Sequence, residues 1–195
     1  MNLKSLINDI PKPIRLFLGK ALLVFIIWKL VYGLFLSDSR LLDSPLTTHV
    51  ANASVFVLNG LGDMSGFTSK TELSTYIEGE GLVTQKASKI YHYDKLVLYI
   101  ADICNGLELM VLYIGFIVCM PSRFWRKVKY VIIGVILIDF INILRCTGLI
   151  YLREYYHAYF DFAHHYLFKA AVYTATFLMW MVYARKISLK KDEVV

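Results

Sequence analysis

Charge is scarce in this sequence: 18% of its 195 residues are Asp, Glu, Lys or Arg, against roughly 25% in an ordinary soluble domain. That scarcity argues against a water-soluble fold. Three cysteines, Cys104, Cys119 and Cys146, make no disulfide framework. There is no internal repeat and no low-complexity tract. No histidine, cysteine or acidic pair has convincing ligand spacing, so neither a metal nor a cofactor is expected. His157-x-x-x-Asp161 with Arg153 faintly suggests the membrane phosphatases that form a phosphohistidine. The Lys/Arg-Pro and Ser-Gly-His motifs that such enzymes need are absent.

What is present is apolar length. Hydrophobic residues make up 57% of the chain, and they gather in runs close to the roughly 20 residues that cross a bilayer. Spans are expected at about 14–36, 96–120, 130–152 and 164–183. Backbone polar groups cannot stay unpaired in hydrocarbon, so each run must be helical. The first run lacks a small-residue cleavage site and exceeds the apolar core of a signal peptide, which makes it a retained anchor. The expected fold is an all-α integral membrane protein forming one domain over 1–195, a bundle of about four transmembrane helices. Val50–Leu61 is apolar but only about 12 residues long, too short to span, and reads as an interfacial or re-entrant piece. It belongs to an external loop, 37–95, where the alternation at Leu82-Val83-Thr84 and Ile90-Tyr-His-Tyr93 suggests a short hairpin.

Basic residues set the orientation. Lys4, Lys12, Arg15 and Lys20 flank the first span, Arg123, Arg126, Lys127 and Lys129 link the second and third, and Arg185, Lys186, Lys190 and Lys191 follow the fourth. With four spans all three clusters share one side, which puts both termini and the links 1–13, 121–129 and 184–195 in the cytoplasm. The net charge of +6 is thus a topology signal and gives no support for nucleic acid as a partner.

Ionisable groups inside spans are costly and point to function by default. Cys104 is followed by Asn105, Gly106 and Glu108, and Asp139, Asn142 and Cys146 fall along one helical face with Arg145 beside it. The fourth span opens with His164 and His165. Arg145 lies roughly 24 Å deeper than Lys129 at 1.5 Å per residue. Cys104 and the histidines reach a similar level on helices of opposite direction. A thiol attacks as its thiolate, so Cys104 needs a nearby positive charge or base. Histidine can shuttle the proton, arginine can hold an oxyanion or a carboxylate, and Asn142 can orient either. Lys169 is expected to pair with Glu108 or Asp139. His49, His92 and His157 read as solvated surface, and Cys119 and Cys146 as packing, with a Cys104–Cys146 disulfide as a remote option. The tyrosines at 151, 155, 156 and 159 read as an interfacial belt. A non-catalytic scaffold, in which the polar stripe only binds helices together, remains the alternative.

Cys104-Asn105-Gly106, Asn142-x-x-Arg145 and a histidine opening the last span, in that order over about 96–185, resemble the exosortase/archaeosortase family of membrane cysteine transpeptidases. The resemblance implies a prokaryotic inner or plasma membrane protein with its active site on the outer face. It implies cleavage near a C-terminal sorting signal of exported proteins (short motif, hydrophobic helix, basic tail) and transfer of the acyl group to an unknown acceptor. Lipids and that tail would then be the partners. By position Cys104 would be the nucleophile and Arg145 the residue that positions substrate or stabilises charge. Either His164 or His165 fits the histidine role, and His165 is preferred because His165, Lys169 and Tyr173 follow the family's spacing. The compact length suggests a short branch.

Overall fold

The computed structural model describes residues 12–36, 39–61, 65–78 and 81–188. Lys4, Lys190 and Lys191 of the basic clusters lie outside the described residues. The chain opens with α1 (Lys12–Val31), which runs on as a π turn (Tyr32–Leu36), followed by α2 (Asp43–Gly60). Three strands come next, β1 (Phe67–Glu78), β2 (Gly81–His92) and β3 (Lys95–Ile100). A 3-10 turn (Asp102–Cys104) leads into α3 (Leu107–Cys119), and α4 (Phe124–Tyr155) follows. The last stretch is α5 (His157–Phe162), a π turn (Ala163–Leu167) and α6 (Phe168–Ser188).

Three helical stretches are long and apolar enough to cross a membrane: Leu16–Leu36, Phe124–Tyr155 and His157–Arg185. Their outer faces are apolar, with Leu22, Ile26, Ile136, Phe140, Phe177 and Leu178 all exposed. Such a surface would be an association hazard in water, whereas in a bilayer it faces lipid. The molecule is therefore a mostly helical membrane protein.

The expected second span is corrected. Residues 95–100 form a strand, and only Leu107–Cys119, 13 residues, is helical. At 1.5 Å per residue that helix is about 20 Å long, short of the roughly 30 Å hydrocarbon layer. The all-α expectation is corrected too, because the sheet order is β1-β2-β3. Leu82–Thr84 and Ile90–His92 lie in the same strand, β2, so the alternation marked one strand of a three-stranded meander. β2 pairs antiparallel with β1 from Phe67↔His92 to Glu78↔Gly81, and with β3 from His92↔Lys95 to Ser88↔Ile100.

Of the segment 50–61, residues 50–60 form the C-terminal part of α2 rather than an isolated piece, and Leu61 caps it. Asp43, Thr47, Val50, Ala51, Ser54 and Leu58 are buried, a stripe at helical spacings of three and four facing inward. Val50 and Leu58 pack with Phe67, Ile90 and Ile100 of the sheet and with Ile150 of α4. Asn59 locks helix to sheet: its Nδ2 donates to the Phe67 carbonyl at 2.9 Å, and its Oδ1 accepts from the Phe67 amide at 3.0 Å.

The two ends of the bundle differ. At one end Phe17 of α1 meets Phe116 of α3 at 5.3 Å, Phe116 stacks on Trp180 of α6 at 4.6 Å, and Arg126 donates to the Tyr183 carbonyl at 3.3 Å. Arg126 and Lys127 of the basic link lie there, the lysine donating to the Val118 carbonyl at 2.8 Å, and Lys20 and Arg185 are within three residues of Phe17 and Tyr183. α3 and α4 meet closely above this end, since a Cβ on Gly134 would lie 2.0 Å from the Tyr113 ring. At the other end of α4, Glu154 sits 3.2 Å from His92 and 3.5 Å from Lys95 and ties the sheet to the helix. His92 is therefore an ion-paired side chain 16% exposed, not a solvated one.

Candidate active site at the sheet end

Cys104 closes the 3-10 turn between β3 and α3, so it precedes a helix instead of lying inside the span expected over 96–120. Gly106 adopts φ +86° and reverses the chain into α3, a conformation that costs glycine nothing. Asn105 is buried, and its Oδ1 accepts from the Leu107 amide at 2.8 Å, an Asx turn that satisfies the first amide of α3. Its Nδ2 donates to Asp43 Oδ1 at 2.8 Å.

α4 supplies the opposite side. Asn142, fully buried, donates through Nδ2 to the Cys104 carbonyl at 3.0 Å. Arg145 places Nη2 3.7 Å from Cys104 Sγ and Nη1 3.4 Å from Asn142 Oδ1. Cys146 Sγ lies 3.9 Å from the Cys104 carbonyl, and both thiols are free, so the remote disulfide is not formed.

A cavity of about 750 Å³ opens over this group. Cys104, Arg145, Cys146, Arg153, His164 and Lys169 line it, along with β3, and no acidic side chain does. His164, in the π turn, stacks on Phe160 at 5.7 Å and faces the cavity. His165 is exposed and is not part of the lining. Neighbouring residues on a helix point about 100° apart, so only one of the two histidines faces the cavity although their rings lie 5.0 Å from each other. Lys169 does not pair as expected: Glu108 bonds Lys29 at 2.8 Å and Asp139 meets His49 at 3.0 Å. His157 contacts Arg153 at 2.6 Å on the surface.

Sequence reasoning missed a polar layer beneath the cysteine. Arg40 grips both oxygens of Asp102 at 2.7 Å, and Thr47 donates to Asp102 Oδ1 at 2.8 Å. Tyr32 donates to Asp43 Oδ2 at 2.9 Å. The only local signal was Asp102, an acid two residues before Cys104 and just after an apolar strand.

Fold and site together define a multi-pass membrane protein with a thiol–guanidinium pair at the end of the bundle opposite its basic clusters. A family model for the transmembrane exosortase (Exosortase_EpsH) matches residues 14–183, and the chain belongs to that family. No curated protein and no solved structure matches it.

Proposed function

We propose that this protein is a membrane cysteine peptidase/transpeptidase that cleaves the C-terminal sorting signal of exported proteins and passes the acyl product to an acceptor. The observation that carries the reading is the Arg145 guanidinium 3.7 Å from Cys104 Sγ, in a cavity that His164 also lines. Family membership supports a role in membrane protein processing.

A thiol attacks as the thiolate, and Arg145 holds a fixed positive charge beside that sulfur. The Cys104 sulfur forms a bond to the scissile carbonyl carbon, and the negative charge that develops on the carbonyl oxygen is held by Arg145. The C–N bond then breaks, with His164 returning the proton it took from the thiol to the departing amine. The resulting thioester is attacked by an acceptor amine, hydroxyl or water, which restores the thiol. His164 takes the histidine role in place of His165 because it alone of the pair faces the cavity. Asn142 is a positioning residue that fixes the Cys104 backbone and braces Arg145. The basic clusters support cytoplasmic termini and an outward-facing site in a prokaryotic inner or plasma membrane.

The test is co-expression with a candidate substrate bearing a C-terminal apolar helix and basic tail. Tail removal should vanish in Cys104→Ala and fall by about 10²–10³ in Arg145→Ala. It should fall by about 10²–10⁴ in His164→Ala and stay within about twofold of wild type in His165→Ala. Wild-type processing by Cys104→Ala at normal membrane levels would falsify the enzyme and leave a scaffold.

A further inference from the structure

Of the two edges of the sheet, β3 borders Cys104. Six consecutive residues, Leu96–Ala101, line the cavity. Side chains alternate between faces along a strand, so a cavity on one face would touch every second residue. Contact with all six means that the cavity runs along the open edge of the strand. Among the described residues, no backbone hydrogen bond joins 96–100 to any element but β2.

The composition of that edge is unusual for one left bare. Lys95-Leu-Val-Leu-Tyr-Ile100 holds a single charge, at the end away from Cys104, and no proline. Its one irregularity is a bulge near its start, where Val97 stands between the pairs Tyr91↔Leu96 and Ile90↔Leu98, leaving Leu98–Ile100, the part nearest Cys104, regular. Edges meant to stay unpaired in water carry charges, prolines or bulges that stop another chain from adding. The far edge, β1, follows that rule with Lys70, Glu72 and Glu78. β3 is thus fitted to accept a strand, and the strand it accepts ends at the thiol. Across the slot stand Arg145, Arg153 and Lys169 with no acidic residue, which selects a neutral or acidic segment over a basic one.

We propose that β3 is the docking strand for the extended segment preceding the scissile bond, which adds as a fourth strand parallel to β3. This rests on the thiol chemistry proposed above. β3 runs toward Cys104, so a parallel segment delivers its C-terminal carbonyl to the sulfur while the residues after it lead into the bilayer. At about 3.3 Å per residue the edge Leu96–Ala101 is roughly 20 Å long, enough for five or six peptide residues. Main-chain hydrogen bonds give such a mode its affinity, and alternate side chains give it selectivity.

The probe is a library of capped hexapeptides carrying a C-terminal chloromethyl ketone, presented to the full-length protein in nanodiscs. Cys104 Sγ displaces chloride to form a thioether, which mass spectrometry of the Cys104 peptide reads. The fastest-labelling sequence is then remade with one backbone N-methyl group at each position in turn. Because only every second residue of an added strand turns its amide toward the ladder, labelling should slow at least tenfold at alternate positions and stay within twofold between them. Amides of 96–101 should also exchange more slowly with solvent once a peptide is attached. N-methyl effects without alternation, or a library that labels Cys104 no faster than a chloromethyl ketone lacking a peptide, would overturn the docking strand. Alternation found alongside unchanged tail removal by Cys104→Ala would uphold the strand and sink the enzyme, so the two ideas fail separately.

Discussion

Gly106 meets two demands that no other residue satisfies together. Its φ of +86° lies where an L side chain is strained by about 1–2 kcal/mol, and a Cβ there would stand 3.3 Å from both Cγ and Nδ2 of Asn142. That amide holds the Cys104 carbonyl at 3.0 Å and braces Arg145. Any relief of the crowding therefore moves the thiol against its guanidinium. Gly106→Ala should reach the membrane at a normal level and lose about tenfold or more in tail removal. Gly60→Ala is the control, since nothing lies within 4 Å of a Cβ there. Equal processing by the two variants would mean that the turn tolerates displacement and that the Asn142 contact is incidental.

The turn Asp102–Gly106 is an element only because α2 holds it. Asp102 and Asn105 are both held by Thr47 and its neighbours near the start of α2: Thr47 donates to Asp102, and Asp43 accepts from Asn105. Arg40, itself at φ +48°, supplies the forked contact to Asp102. Fork geometry is what lysine lacks. Tail removal should thus decline in the order wild type, Arg40→Lys, Arg40→Ala, with kcat falling while KM changes little, because the substrate surface is untouched. Arg40→Ala should also cost about 1–3 kcal/mol of stability, the scale of hydrogen bonds to a charged group. A loss of thermal stability with kcat intact would make Arg40 structural only.

The same elements show what was legible beforehand. The long apolar runs and their basic flanks were readable because bilayer thickness acts on composition directly, one residue at a time. Leu96–Ile100 was not, since a short apolar run cannot be told from part of a helix by periodicity alone. α2 was half visible: Val50–Leu61 stood out, while Asp43–His49 is polar and finds its partners only in the folded chain. Cys104, Arg145 and His164 could be named from sequence and line one cavity in the structure, with Asn142, also named, buried behind them on the Cys104 carbonyl. That His164 and not His165 lines the cavity follows from how the last helix is rotated against its neighbours, which no local signal marks. Arg40 and Thr47 act on Asp102 across 62 and 55 residues of chain, a pairing that only tertiary structure creates.

At the scale of the whole molecule, depth and charge combine. α3 is about 20 Å long, and at its sheet end the cavity beside Cys104 is lined by β3, Arg145, Arg153 and Lys169. Reagents that reach Cys104 through that cavity pass those three cations. A small anionic thiosulfonate should modify Cys104 faster than a cationic one of equal size, by about tenfold, which corresponds to roughly 1.4 kcal/mol of field. Both should act when added outside intact cells, and a bulky polymer maleimide should not. Cys119 and Cys146, 9% and 3% exposed, should react far more slowly, as Cys104→Ala would show by its low background. The salt response separates charge from shape: a field between exposed groups fades over about 8 Å at physiological ionic strength, so the anion's advantage should shrink as salt rises. Preference for the cation would remove the electrostatic reading of the cavity. Modification from the cytoplasmic side alone would invert the topology and leave the thiol unable to meet an exported substrate.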